Sequence, residues 1–546
     1  MKNELKIFFT FLLVFSLFVH WSTWNEQSRF ALTRAIVDEA RFEIDSFFNV
    51  TGYRLYYKNH YYCDKHPGLS FISTFIYFFW RIGKEIHVNY YLPYKVQVFD
   101  KMVTFLYPIY DSETQFFLWL LTIFSSSIFI ALTSVIIFKF AKGIGCNEKD
   151  SIFIALTMGF ATILFHVAIV YWDHAIATFL VFLSFHLLYF RKSSPFIFLS
   201  GLLLGFSISS HIYSLVFLLG FPFYMVLKKY RYNLFLSFFL GLSIGLLPIL
   251  LYNYLLFDNF SIRIPILELV DKQIWELNLK DVWIISTPFI VVVLNEFIIF
   301  RTFFVIIKLL FFPERGLFFY SPILFLFFPL IFYSWKKFKA EIKLVLFLFF
   351  LFILGLAWKF FWFSGITFGQ RDFSTLIPFM FLPFIFSFEK IKRKKVVYFL
   401  VGLSVFINFL GLQCLECLSL NSPATDLNPS NFLPNLNKFE DFYSGKNLSY
   451  SVLKNPVFEY YFPLFLRNGP RSKVFESIVN SISEKKFSMN VSYNAHLRPI
   501  DEVSSKFYKK MIYSNPFPSF ISLIFLSLFL IFLWRKEIFN KNSKLN

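Results

Sequence analysis

Long runs of apolar residues dominate the chain. A helix needs about 20 such residues to cross the hydrocarbon of a bilayer. Twelve stretches approach this length, and the pattern predicts about 12 transmembrane helices, with about 11–14 as the range. They lie at 5–22, 116–138, 152–171, 175–190, 195–211, 212–227, 233–256, 316–334, 343–361, 373–388, 396–413 and 518–534. The predicted fold class is an all-α polytopic membrane protein.

The segment 284–311 is also apolar, but it contains Arg301 and Lys308. Charged residues inside a crossing are costly. A single crossing here would also move the later basic loops out of the cytoplasm, against the charge pattern. The pattern predicts a re-entrant or interfacial element, or a pair of short crossings.

Polar residues collect in a few long connections, which define the domain organisation. Residues 1–413 are predicted to form the transmembrane domain, with a large first external loop at 23–115 and another external region at 257–315. Residues 414–517 are a long external loop or a small external subdomain. Residues 518–546 supply the last helix and a basic tail.

Composition supports a membrane protein and excludes two other classes. The chain is 57% hydrophobic, and 85 of its 546 residues are Phe. A soluble globular protein could not bury this much apolar surface, and a disordered chain would not contain it. The net charge of +19 would suit a nucleic-acid binder only if it formed a face of a soluble domain. No nucleic-acid partner is therefore predicted.

The positive charge is distributed unequally between the two sides of the predicted membrane. If the N-terminus is cytoplasmic, the cytoplasmic connections hold 23 Lys or Arg against six acidic residues. The other residues are nearly neutral, which is the asymmetry that the positive-inside rule describes. We expect a multi-pass protein of the inner (plasma) membrane with both termini in the cytoplasm. The cytoplasmic segments are 1–6, 139–150, 191–194, 228–232, 335–343, 389–395 and 535–546.

The first external loop carries the most informative polar residues. Residues 26–41 have helical spacing, which predicts an amphipathic helix along the membrane surface. Its start places Asn25, Glu26 and Arg29 at the mouth of the first transmembrane helix. A carboxylate there can act as a general base. The alternative is an acidic residue that only stabilises the start of a helix.

The same loop contains a turn at Asp64-Lys65-His66-Pro67-Gly68. A lysine at a membrane interface suits a phosphate group. Lys65 could equally be solvated or paired with Asp64, and the pentapeptide favours neither reading.

Taken in order, NEQSRFALTRAIVDE and YYCDKHPGLSF resemble the first external loop of membrane glycosyltransferases of the GT-C fold. This superfamily includes lipid A aminoarabinose transferases and protein O-mannosyltransferases. The resemblance spans roughly residues 20–375 and implies a GT-C-like arrangement of helices. Later matching pieces are Tyr171-Trp172-Asp173-His174, Tyr252-Asn253, Arg315-Gly316-Leu317-Phe318 with Tyr320-Ser321-Pro322, and Trp362-Phe363-Ser364-Gly365 with Phe368-Gly369-Gln370-Arg371.

The resemblance implies transfer of a sugar from a polyprenyl-phosphate donor to a lipid, glycan or protein acceptor outside the cytoplasm, usually with inversion. It implies Glu26 as the base and contacts from Lys65, Arg371 and Arg315 to the donor phosphate. A substrate pocket would include Asn25, Arg29, Asp64, Asp173 and His174. No cofactor is required. A divalent metal is compatible with the chemistry, but no metal ligand is assigned, and membrane lipids are the remaining partners.

Three readings compete: an active enzyme, an inactive relative and a transporter. The family's acidic pair usually begins with Asp, where this chain has Asn25, and His66 stands where Pro is common. Glu26 then acts as the base, or Asp64 or Asp173 replaces it, or the chain is an inactive relative. The third reading is a transporter or flippase of lipid-linked sugars, although no internal repeat of the transporter type is evident. Four histidines on separate helices are read as packed or interfacial and not as ligands: His20, His166, His186 and His211.

Overall fold

The computed structural model describes most of the transmembrane region and the first external loop. The described residues are 2–19, 24–51, 53–98, 101–264, 283–286, 291–294, 298–313, 315–358, 368–413 and 517–539, with a few positions between 457 and 474. Within them the chain is mostly helical, as predicted for a membrane protein. The predicted external region 414–517 and the motif at 362–365 fall outside them, apart from those few positions.

Most helices in the first half of the chain overlap the predicted apolar stretches, whereas those at Trp24–Glu39 and Gly68–Arg81 lie in the predicted first external loop. A π-helical turn at Ile123–Ser127 joins α4 to α5. The helices are α1 (Asn3–Phe18), α2 (Trp24–Glu39), α3 (Gly68–Arg81), α4 (Ser112–Thr122), α5 (Ile128–Ile144), α6 (Glu148–Phe160), α7 (Leu164–Ala168), α8 (Asp173–Phe190), α9 (Ser194–Ser210), α10 (Val216–Leu227) and α11 (Tyr232–Phe257).

The second half is more broken, with several short helices between the long ones. Prolines account for part of this, because a proline removes a backbone donor and disfavours helix in the residue before it. The helices are α12 (Ile298–Phe311), α13 (Leu317–Tyr320), α14 (Phe327–Trp335), α15 (Lys339–Trp358), α16 (Ile377–Met380), α17 (Leu382–Ser387), α18 (Lys394–Gln413) and α19 (Phe517–Phe539).

Three antiparallel hairpins depart from the all-α prediction. Each lies in a region predicted as a loop or left undecided. In the first, Lys58 and Asn59 have φ of 46° and 67°, the left-handed values that suit a two-residue hairpin turn. The pairs are β1 (Arg54–Tyr57) with β2 (His60–Cys63), β3 (Val88–Val98) with β4 (Lys101–Tyr110), and β5 (Trp283–Ser286) with β6 (Val291–Leu294).

Five helices among the described residues are long and apolar enough to cross a membrane. Other helices are apolar but shorter, with 10–17 residues each. The long ones lie at Glu113–Ile144, Asp173–Phe190, Tyr232–Phe257, Lys339–Trp358 and Lys394–Leu412. In the undecided segment, the hairpin of β5 and β6 precedes α12, which has 14 residues. That length is short for a crossing.

Helices α9 and α11 pack closely through two pairs of glycines. Gly201 and Gly205 on α9 face Gly241 and Gly245 on α11, and a Cβ added at any of the four would overlap backbone atoms of the other helix. Spacing of this kind lets membrane helices approach closely. It fixes the position of α9, whose last residue precedes His211.

Polar contacts divide into two groups that match the predicted faces. Residues assigned to the cytoplasmic side contact one another, and residues assigned to the external side do the same. In the described ranges, the first group includes Asn3 with Glu148, Lys228 with Glu341, and Lys394 with Asp150. The second group includes Lys58 with Asp258 and Arg29 with Asp173. In each of these pairs, both residues belong to the same predicted side of the membrane.

Candidate functional site

Helix α2 confirms the helix predicted at the start of the first external loop, but its predicted environment is wrong. Every residue from Asn25 to Thr33 is buried, so this half of the helix has no solvent-exposed face. The polar residues tolerate burial because they bind other polar groups. Ser28, for example, donates a hydrogen bond to the Tyr53 carbonyl oxygen at 2.6 Å.

Arg29 forms a buried ion pair with Asp173, the first residue of α8. The guanidinium Nη2 lies 2.9 Å from Asp173 Oδ2, and the two side chains are 4% and 5% exposed. Nη1 also donates to the backbone carbonyl of Asn25 at 3.0 Å. Burial opposes the charge of Arg29, but Asp173 more than offsets this and raises the pKa of Arg29 above its ordinary value.

Two histidines complete a polar cluster around Asp173. His211 Nδ1 lies 3.3 Å from Asp173 Oδ2, and His174 Nδ1 lies 3.0 Å from Asp173 Oδ1. The other nitrogen of His174, Nε2, lies 3.4 Å from Asp372 Oδ1. The two imidazole rings are 4.2 Å apart between centroids. We call these five residues, Arg29, Asp173, His174, His211 and Asp372, the Asp173 cluster.

The predicted turn between β2 and α3 lies beside α2. Ser28, next to Arg29 in sequence, donates a hydrogen bond to Asp64 Oδ1 at 3.3 Å. Lys65 Nζ lies 2.5 Å from Asp64 Oδ2, so the pairing left open by the sequence is present. The Lys65 ammonium also lies 4.1 Å from the centroid of the Tyr53 ring.

The pKa values of His66, within this turn, and of Cys63, just before it, both differ from their ordinary values. Burial lowers the pKa of His66 to about 4, against the attraction of Asp173. His66 is therefore neutral near pH 7, and its Nδ1 lies 3.1 Å from the Ile208 carbonyl oxygen. Burial raises the pKa of the Cys63 thiol to about 11, and nearby Asp64 adds to the effect.

The two arginines of the later motifs approach the cluster from another side. The Arg371 guanidinium lies 4.4 Å from the centroid of the Trp172 ring, and its Nε lies 3.9 Å from Asp372 Oδ1. Arg315 is buried, and both arginines lie within electrostatic reach of His166. The predicted phosphate contacts Arg371 and Arg315 are thus close to a common point.

Glu26 is completely buried in the first turn of α2, three residues before Arg29. Residues three apart on a helix lie on neighbouring positions of its surface. Tyr252 packs instead against Phe42 and Phe71, and Asn253 donates a hydrogen bond to the Ser261 carbonyl oxygen. These contacts give the Tyr252-Asn253 motif a packing role.

Sequence reasoning missed two members of the cluster. His211 was read as a packed or interfacial residue and was not connected with Asp173, whereas its Nδ1 lies 3.3 Å from Asp173 Oδ2. The predicted span 195–211 already placed it at an external helix end, which was the available signal. Asp372 was overlooked beside Arg371, although a second charge directly after a motif arginine marks a candidate ion-pair partner.

The site combines buried carboxylates, imidazoles and guanidinium groups at one end of several helices. Carboxylates can accept protons, and guanidinium and ammonium groups can stabilise an anionic oxygen. The groups come from α2, the turn before α3, the start of α8, the end of α9 and the turn Arg371–Phe373. No protein-family model, curated protein or solved structure matches this chain.

Proposed function

We propose that this protein is a GT-C-like integral membrane glycosyltransferase. It moves a sugar from a polyprenyl-phosphate donor to an acceptor at the outer face of a bacterial inner membrane. In this proposal the chain crosses the membrane about 12 times with both termini in the cytoplasm. The observation that carries the proposal is the convergence of separate motif segments on the ion pair of Arg29 and Asp173.

The proposed reaction is a single displacement with inversion. The acceptor oxygen attacks the anomeric carbon, and the bond from that carbon to the phosphate oxygen breaks. The hydroxyl proton passes to the Glu26 carboxylate, and the electron pair leaves with the lipid phosphate. Lys65, Arg371 and Arg315 offset the charge that develops on the phosphate, which is the usual role of cations in such steps.

The position of the cluster favours this reaction over transport. A translocation path needs polar groups near the middle of the membrane. Here the polar groups lie at the first residues of α8 and just beyond the end of α9. A donor with a polar phosphate and an apolar tail also meets the protein at such an interface.

Substituting the proposed phosphate contacts tests the role of the cations. We expect Lys65→Ala and Arg371→Ala each to lower donor turnover by about 10- to 100-fold, because each removes a charge-assisted contact to the leaving phosphate. The measurement is release of polyprenyl phosphate from labelled polyprenyl-phosphate sugars in membranes that contain the protein.

Lys58→Ala is the matched control. Lys58 lies in the same loop but pairs with Asp258 at the surface, where both side chains are more than half exposed. It should leave turnover unchanged. Full turnover in both Lys65→Ala and Arg371→Ala, with normal amounts of folded protein, would contradict the assigned phosphate site.

A further inference from the structure

Three potential metal ligands meet inside the Asp173 cluster. Asp173, His174 and His211 are 3%, 4% and 5% exposed. One ligand atom from each lies within 4.8 Å of the others. Two imidazoles and one carboxylate form a common donor set for zinc and related divalent ions.

The hydrogen bonding of His174 favours a cation at this point. Its Nε2 lies 3.4 Å from Asp372 Oδ1, and a carboxylate can only accept a hydrogen bond. A neutral imidazole has one proton and can donate it to only one of the two carboxylates that it faces. When it donates to Asp372, Nδ1 presents a lone pair. That lone pair lies 3.0 Å from Asp173 Oδ1, and neither atom has a hydrogen-bond partner. Two facing lone pairs repel unless a cation lies between them.

His211 adds a second buried nitrogen without a partner. Its Nε2 makes no hydrogen bond, while Nδ1 lies 3.3 Å from Asp173 Oδ2. A buried polar nitrogen left in this state is costly. A metal ion that takes His174 Nδ1 and Asp173 Oδ1 would remove the repulsion, and one that also takes His211 Nε2 would remove this cost.

The groups around the three ligands suit such an ion. Asp372 would hold the ring of His174 through Nε2, as carboxylates commonly do for metal-binding histidines. Arg29 binds the other oxygen of Asp173 at 2.9 Å and leaves Oδ1 to the metal. The charge of Arg29 opposes a second cation, but the two carboxylates offset it.

We propose that Asp173, His174 and His211 bind one divalent transition-metal ion, with zinc as the best fit. Three protein ligands leave a further coordination position for water or an anionic oxygen. A proton between His174 Nδ1 and Asp173 Oδ1 is the competing explanation of this contact, and the metal content measured below distinguishes the two. The proposal does not depend on the glycosyl transfer reaction.

Metal content of the purified protein tests the site. The full chain, carrying no histidine tag, is purified in detergent, incubated with Zn²⁺ and freed of excess metal. We expect about one zinc per chain by elemental analysis. We expect a loss of most of this metal in His211→Ala and in Asp173→Asn, since each removes a ligand. His186→Ala is the matched control, because His186 lies on α8 and packs against Phe140 and Phe190.

A spectroscopic readout keeps the test valid if a variant folds poorly. Co²⁺ bound to the wild-type chain should give the visible absorption of a nitrogen and oxygen site of low coordination number, and Zn²⁺ should abolish it. Absence of bound metal in the wild-type chain would overturn the proposal and favour the protonated cluster. Equal metal content in wild type, His211→Ala and Asp173→Asn would also overturn it, because the metal would then lie elsewhere.

Discussion

Arg29→Met is expected to lower the free energy of unfolding by about 3–5 kcal/mol. The substitution keeps an apolar side chain of similar length but removes the cation from the Asp173 carboxylate. That carboxylate stays buried at 5% exposure, and a buried charge without its partner is strongly destabilising. The measurement is thermal unfolding of the protein in detergent with a chelator present, so that metal does not replace the lost cation.

A double substitution separates this effect from a change in shape. The double variant Arg29→Met with Asp173→Asn has no unpaired carboxylate at this position. Its loss of unfolding free energy should therefore be smaller than the sum of the losses in the two single variants. Lys58→Met serves as the control at an exposed pair with Asp258, where no measurable change is expected. A midpoint for Arg29→Met equal to that of wild type would show that the ion pair does not stabilise the fold.

Glu26→Gln is expected to lower sugar transfer by about 100- to 10,000-fold, the usual contribution of a general base. The amide has almost the same shape as the carboxylate but cannot accept the proton. Glu26 is completely buried, so an isosteric change should preserve packing. The measurement is transfer of labelled sugar at saturating donor, with protein amount and melting behaviour checked in parallel.

Glu39→Gln provides a matched control at the other end of α2. Glu39 pairs with Arg41 at 2.6 Å in a partly exposed position, and this variant should transfer sugar normally. Asp64→Asn and Asp173→Asn test the alternative bases. Normal transfer by Glu26→Gln together with loss in Asp64→Asn would assign the base to Asp64.

Periodicity and charge predicted the parts of the structure that depend on local sequence. The helical spacing of residues 26–41 corresponds to α2, and the apolar stretches correspond to the long helices. Charge placed Glu26, Lys65, Asp173, Arg315 and Arg371 on one side. Arg29 and Asp173, both assigned to that side, form an ion pair although they are far apart in the chain.

The features that the sequence did not predict depend on tertiary contacts, which local sequence patterns do not reveal. The amphipathic pattern of α2 predicted that its polar residues face solvent. Contacts with Tyr53, Asp64 and Asp173 bury them instead. The strands β1 and β2 have only four residues each, so a search for long apolar stretches does not detect their hairpin. His211 joins the site because α9 and α11 pack through small residues, which sets where α9 ends.

Cleavage of the donor is the most direct test of the proposed function. The purified protein is placed in vesicles with a polyprenyl-phosphate sugar labelled in both the sugar and the lipid, together with envelope extract as the source of acceptor. The proposal predicts equal amounts of free polyprenyl phosphate and acceptor-linked sugar, both dependent on Glu26. Movement of intact donor across the vesicle membrane without bond cleavage would contradict it and identify a flippase.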